Sequence, residues 1–304
     1  MNRSRSRLSF AAVVLLIGGS VFAQAPSPSP VAAPQGESGQ GSSVSVAFWN
    51  IKWFPGGRPN ASRREEVRQI GTVHEDIPKL AADVIGFEEV RDWQSAEIAV
   101  KPLPGFKVDV CSTFPPREDQ TVTQQIAITS RLTPMSAWAE EWNAGGAITP
   151  PRGFAFAAYE LAPKQLLLVY ALHLKSNRGE LVENVAIREE SMRQLLAHMK
   201  QMEAAYGKLG TITWAIGGDY NTAPDDPRFK DEKTLKSLTS AGFRWSWEGM
   251  PLEQRVTLPP DDRFPAACFD HIYYRGANLI KAEVLDTSDI SSDHRAIRAE
   301  LILR

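Results

Sequence analysis

The sequence is short of cysteine and histidine, with two and five among 304 residues. Two cysteines do not make a zinc site. Cys111 and Cys268 could form a single disulfide in an exported chain, closing a long loop, but their spacing does not decide whether they meet. Excess positive charge is also missing. The formal net charge is -2, which excludes a general polyanion binder. Any phosphate-rich partner must therefore be held by local positive charge or by a metal. No internal repeat is present, no domain linker follows Ser43, and no extended apolar hairpin of the bilayer-inserting kind is found.

What is present suits an ordinary globular protein, with 43% hydrophobic residues and room for one large domain or two small ones. Residues 1–25 read as a signal peptide. Arg3, Arg5 and Arg7 form the positive region, Leu8 to Val21 the apolar region, and Ala23-Gln24-Ala25 the small-residue cleavage pattern. Residues 26–43, rich in Pro, Ser and Gly, read as a disordered tether. The chain is thus expected to be exported, to the periplasm or beyond, with one domain over 44–304.

Within that domain strands dominate. Val44 to Phe48 and Asp83 to Phe87 are β-prone. Between them, Ser62-Arg63-Arg64-Glu65 is a capping box opening a helix along Val67, Ile70, Val73, Ile77 and Leu80, with Pro78 a kink or restart. Phe106 to Val110 and Gln125 to Thr129 follow as strands. Phe154 to Leu161 and Gln165 to Leu172 form a hairpin around Ala162-Pro163-Lys164. Val182 to Tyr206 is a long amphipathic helix, Thr211 to Ile216 a buried strand, and Thr234 to Leu238 a short helix. Strands at Phe269 to Tyr274, Leu279 to Leu285 and Ala296 to Ile302 complete a layered α/β or α+β domain.

Polar residues recur where these strands end. Asn50 follows the first strand, Glu89 the second and His173 the hairpin. Gly217-Gly218-Asp219-Tyr220-Asn221 follows the strand after the long helix. Asp293-His294 precedes the last strand, and Asp270 opens another beside His271. Each has a plain explanation when taken singly: a turn cap, a solvated acid, a core histidine. Their recurrence at strand ends, where α/β folds place chemistry, argues for one site. Asp219 offers charge and oxygen ligands, and Asn221 a neutral donor and acceptor, which together suit a hard cation and a phosphate oxygen.

In order, Trp49-Asn50-Ile51, Phe87-Glu88-Glu89-Val90, Ala171-Leu172-His173-Leu174, Gly218-Asp219-Tyr220-Asn221, Phe269-Asp270-His271-Ile272 and Ser292-Asp293-His294 resemble the motifs of the endonuclease/exonuclease/phosphatase superfamily, the deoxyribonuclease I-like metal-dependent phosphodiesterases. The resemblance runs from about Val44 to the C-terminus. It implies a four-layer α/β/β/α sandwich of two packed mixed sheets. It implies Mg²⁺ bound by Glu89, helped by Asn50 and Asp293, with Mn²⁺ or Ca²⁺ able to substitute or assist. Asp219 would orient or deprotonate water and Asn221 would hold a phosphoryl oxygen. His294, backed by Asp270, and His173 would supply two imidazoles.

Two departures stand out. The second motif usually reads Gln-Glu, so Glu88 replaces a glutamine; its extra charge either tightens the metal or points away. Nuclease members often back the first histidine with a glutamate, and the best positional match here is Gln125. Lys175, Asn177 and Arg178 are candidate phosphate contacts. Trp49, Trp53 and Phe54 could stack on a base, and Trp245 with Trp247 could expose one face; packing is the alternative for each.

The function expected is an exported endonuclease acting on nucleic acid, DNA favoured, as a monomer without a stable protein partner or membrane contact. The alternative is the same site acting on another phosphoester, as in sphingomyelinase-like phospholipases C or inositol-phosphate phosphatases. A binding module on this fold would have lost Glu89, Asp219 or His294, and all three are present.

Overall fold

A computed structural model describes residues 42–116, 123–144 and 146–304. The signal-peptide segment and the tether as far as residue 41 lie outside the described residues. Ser43, expected as the end of the tether, already opens the first strand.

One mixed sheet holds β1 (Ser43–Phe54), β2 (Val84–Val90), β3 (Lys107–Cys111), β4 (Gln125–Ser130), β11 (Ala277–Val284) and β12 (Ile297–Leu303), in the order β11-β12-β1-β2-β4-β3. The other holds β5 (Pro134–Glu141), β6 (Gly153–Ala162), β7 (Gln165–His173), β8 (Thr211–Asp219), β9 (Arg244–Trp245) and β10 (Asp270–Arg275), in the order β5-β6-β7-β8-β10-β9. Each sheet is built around one parallel pair, β1 with β2 and β7 with β8. Helix α1 (Arg63–Asp76) lies between the first pair in sequence, and α3 (Leu181–Tyr206) between the second. Parallel neighbours need such a crossover because a tight turn cannot join them.

The central strands are apolar on both faces, as a covered sheet requires. Val46, Phe48 and Val84 face Val169, Ala171 and Ala215 of the other sheet. Ala47, Trp49 and Ile85 face outward onto α1 and α2 (Trp93–Val100). Leu168, Trp214 and Ile216 pack under α3 and α4 (Thr234–Ser240). These layers are the sandwich that the motifs implied. Phe48 sits so tightly between the sheets that a Cβ on Gly217 would come within 2.2 Å of its ring. Fully burying such a side chain contributes about 1.5–3 kcal/mol.

The Ser62 capping box forms as expected, with Glu65 closing it, and the chain restarts after it as a 3₁₀ turn at Ile77–Leu80. The inward face of α1 differs from the apolar count. Val67 is 55% exposed, whereas Gln69 is buried. Its amide donates to the carbonyls of Ile51, Lys52 and Ser291. Helix α2 and strand β5 escape the sequence patterns, whereas β9 falls where Trp245 and Trp247 alternate like strand residues. Helix α2 is only 8 residues long and is capped by Asp92. β5 is an edge strand with mixed burial. No helix among the described residues is long and apolar enough to cross a membrane.

Cys111 and Cys268 are both free. Cys111 packs on the α1–α2 side of its sheet, while Cys268 lies in the core between the sheets.

Candidate active site

Register brings the strand-end residues to one end of the two sheets. His173 on β7 lies opposite Asp219 on β8, and Asp270 on β10 lies opposite Asp219 from the other side. On the facing sheet, Asn50 of β1 lies opposite Glu88 of β2.

The backbone bends to present these groups. Lys52, Trp53, Glu89, Arg152 and Asn221 all have positive φ, although none is glycine. Such strain persists only where surrounding structure holds it, and it gathers at functional sites. The β1–β2 register shifts just past Asn50, and the β2–β4 register shifts between Glu88 and Val90. Bulges of this kind re-aim side chains. Gln69 clamps the bent stretch of β1 from behind. At Gly218, φ is 127° and a Cβ would lie 2.1 Å from the Leu172 carbonyl, so a side chain has no place there.

Asp219 is the hub and is 2% exposed. Its Oδ1 accepts from the Asn221 backbone N–H at 2.8 Å. Its Oδ2 accepts from Asn50 Nδ2 at 3.2 Å. His173 Nε2 stands 3.7 Å from that oxygen and His294 Nε2 stands 3.9 Å away. Glu89 joins the hub, with Oε1 3.2 Å from Asn50 Nδ2 and 3.7 Å from His173 Nε2, and Oε2 taking the Trp53 N–H. Burial pushes the Asp219 carboxyl up to about 7, against the opposing pull of His294.

The two imidazoles differ in charge. His294 Nδ1 is 2.9 Å from Asp270 Oδ2. Burial opposes its charge, yet Asp270 and then Asp219 prevail and hold it well above the usual histidine value. His173 is driven well below that value by burial, then by Arg152 and His294. Its Nδ1 is buried without a hydrogen-bond partner among the described residues. Gln125 does not back it, because its amide is engaged with Ser112 and Phe114. A pair of titratable groups pushed apart in this way can divide acid and base work.

The remaining expected residues take varied places. Asp293 faces Lys52 Nζ at 2.9 Å and is half exposed. The adjoining Ser292 hydroxyl donates to the Asn50 carbonyl and accepts from the His294 N–H, tying that turn to β1. Asn221 Nδ2 donates to the Leu174 carbonyl. Asn177 is used within the scaffold, donating to the Asn221 carbonyl and accepting from Arg188. Lys175 Nζ donates to carbonyls of its own loop. Arg178 is exposed. Trp49, Phe54 and Trp247 are fully buried. Trp245 is half-buried, with Arg255 over its ring at 5.0 Å. His271 is structural: its ring bridges Trp245 and the Thr222 carbonyl, and burial pushes it down to about 4.

Sequence reasoning missed the supports. Arg152 donates to the His173 and Leu174 carbonyls, and no sequence pattern marks it. Arg188 does carry a signal. It falls in phase with Met192, Leu195 and Met199, an arginine on the apolar stripe of α3.

The donor set fits a hard divalent cation. Glu89 and Asp219 offer carboxylate oxygens, as such ions prefer, each 3.2 Å from the Asn50 carboxamide nitrogen, while Asn50 Oδ1 accepts from the Lys52 N–H at 3.0 Å. Asp219, Asp270 and His294 also bring ligand atoms within 4.8 Å of one another, a grouping that the motif assignment did not contain.

Comparison with known proteins agrees with this geometry. A family model described as the Endonuclease/Exonuclease/phosphatase family matches residues 47–294. Among curated proteins no sequence matches the chain. A solved endonuclease/exonuclease/phosphatase from Beutenbergia cavernae is 18% identical, with TM-score 0.62, covering 86% of this chain and 72% of its own. A family protein from Bacteroides thetaiotaomicron is 16% identical, with TM-score 0.62 and coverage of 87% and 96%. TDP2 from D. rerio, solved with a single-strand DNA product, is 15% identical, with TM-score 0.59 and coverage of 86% and 99%. At these identities the likeness shows the fold. With the family model spanning Asn50 through His294, this chain belongs to the endonuclease/exonuclease/phosphatase family of phosphoester hydrolases.

Proposed function

We propose that this chain is an exported, Mg²⁺-dependent phosphodiesterase that cuts nucleic acid, DNA before RNA. The observation that carries the reading is the hub itself: one buried carboxylate, Asp219, within 3.9 Å of both His173 and His294. D. rerio TDP2, of the same fold, was solved with a single-strand DNA product, which supports a nucleic-acid substrate. The apolar segment at residues 8–21, behind three arginines, supports export.

Phosphodiesters resist water because their anionic oxygens repel the nucleophile and the leaving alkoxide is poor. Mg²⁺ held by Glu89 and Asn50, with Asp293 nearby, would offset both difficulties when bound. The protein's own groups do the rest. Asp219, ionised, orients the attacking water and takes its proton. Its hydrogen bonds from Asn50 and Asn221 fix where that proton goes. His294, charged and oriented by Asp270, faces the negative charge that builds on the phosphoryl oxygens. His173, neutral, turns Nε2 toward the same space and donates to a phosphoryl oxygen. Arg178 and Lys175 add local positive charge beside it.

Asp270→Asn tests the imidazole assignment. Removing the main charge that favours protonated His294 makes the ring lose its proton at lower pH. The alkaline limb of the pH–rate profile is therefore expected to move to lower pH. An alkaline limb unmoved in the variant would remove His294 from the charged role.

The substrate class is tested with a panel of duplex DNA, single-stranded DNA, RNA, sphingomyelin and inositol phosphates in Mg²⁺. Turnover of the nucleic acids, DNA foremost, is expected. Turnover of sphingomyelin or inositol phosphates alone would reassign the site to a phospholipase C or phosphatase.

A further inference from the structure

One two-residue bend engages an oxygen on each of the three residues that the motifs assign to the cation. The Lys52 N–H donates to Asn50 Oδ1 and the Trp53 N–H to Glu89 Oε2, both at 3.0 Å. The Lys52 ammonium lies 2.9 Å from Asp293 Oδ2. The bend is left-handed, with φ of 44° at Lys52 and 47° at Trp53, a conformation that residues with a Cβ rarely adopt. Gln69 fastens it from behind. Its amide donates to the Ile51 and Lys52 carbonyls, and its Oε1 accepts from the Gly56 N–H. Backbone held in this way is a mark of ligand clamps.

The three contacts differ in what they leave for an ion. An oxygen that accepts one amide N–H keeps a lone pair to offer. An ammonium on a carboxylate is a full positive charge, and it repels a second cation brought to the same group. Lys52 and a divalent cation therefore compete for Asp293. The contest is easily reversed: the two side chains are 41% and 49% exposed, and exposed ion pairs are weak. The lysine stem is flexible, so the ammonium can leave Asp293 while the Lys52 N–H stays on Asn50. Once released, it is tethered at the edge of a site that takes phosphodiesters, and lysine is a common phosphate contact. We propose that Lys52 stands in for the cation at Asp293, is displaced when the ion binds, and then takes a phosphate of the nucleic-acid strand. This rests on the metal-dependent, nucleic-acid reading above and deepens it. Ion and strand binding become coupled, each favouring the other.

Calorimetric titration of the full chain with Mn²⁺ alone tests the exchange without reference to turnover. Lys52→Met, which removes the charge, is expected to bind Mn²⁺ about two- to fivefold tighter than wild type, the scale of an exposed ion pair. Lys52→Arg keeps the charge and should stay near wild type. On an Asp293→Asn chain, with no carboxylate to contest, Lys52→Met should gain little. Strand binding is then followed by fluorescence anisotropy of single-stranded DNA, on an Asp219→Asn chain so that the strand stays whole. In Mn²⁺, Lys52→Met should lower the slope of log affinity against log salt by about 0.7, one phosphate contact fewer on a single strand. In chelator the slopes should match. Three results would overturn the exchange and leave the proposed function standing: Mn²⁺ affinity in Lys52→Met equal to wild type or weaker, an undiminished gain on Asp293→Asn, or a slope difference already present in chelator. Matching slopes in Mn²⁺ would overturn the phosphate contact. Wild type binding no Mn²⁺ would overturn the exchange and the metal-dependent reading together.

Discussion

Asparagine in place of Asp219 is expected to slow phosphodiester cleavage by about 10²–10⁴-fold, the usual contribution of a positioned acid or base, without lowering the melting temperature. The substitution keeps the shape and the acceptor oxygen but removes the proton-accepting charge. The carboxylate is 2% exposed, and burial already disfavours its charged form. Neutralising it therefore relieves the metal-free fold rather than straining it. Single-turnover rates on a DNA strand, with thermal melts in chelator, separate the two effects. A variant that cleaves at the wild-type rate would remove Asp219 from the chemistry. One that melts far lower would make its role architectural.

Arg188→Met is expected to destabilise the domain by about 3–5 kcal/mol, the cost of stranding one member of a buried pair, and so to lower the melting temperature by roughly 6–20 °C. Arg188 and Glu232 are 0% and 2% exposed in their side chains. The guanidinium meets both carboxylate oxygens, at 2.8 and 2.7 Å. Its remaining nitrogen donates to the Lys175 carbonyl and to Asn177 Oδ1. Asn177 in turn holds the Asn221 carbonyl. Losing Arg188 thus frees the loop after His173 and leaves the buried Glu232 carboxylate without its counter-charge, with the Thr234 hydroxyl still donating to it. Melting should show the loss, and Arg188→Met with Glu232→Leu should recover much of it, because a buried pair is replaceable when both members go. A single variant as stable as wild type would contradict this reading of α3.

The layered fold was legible because period and punctuation agree along the chain. The Ser62 box, the hairpin at Ala162-Pro163-Lys164 and the stripe of α3 each name their own element. The site was legible for a related reason. Asn50, Glu89, His173, Asp219, Asp270 and His294 sit where apolar strands stop, and the sheets bring strand ends together. What connects them was not legible. Gln69 and Arg152 act through carbonyl contacts that depend on positive-φ backbone, and no local pattern announces those bends. Asn177 reads as a phosphate contact by composition, but its amide is used up in holding the loop. Gln125 matches a position behind His173 in order along the chain, yet its own strand turns it toward Ser112 and Phe114. Glu88 could be flagged as a departure, but its isolation between the sheets became visible only once β2 and β8 were packed.

Nicking of a supercoiled plasmid, run side by side with wild type in Mg²⁺, wild type in chelator, and Asp219→Asn in Mg²⁺, tests the central claim most directly. Cleavage in the first arm alone is predicted. Equal cleavage in all three would show that the carboxylates and imidazoles gathered at the strand ends are not what breaks the phosphodiester bond.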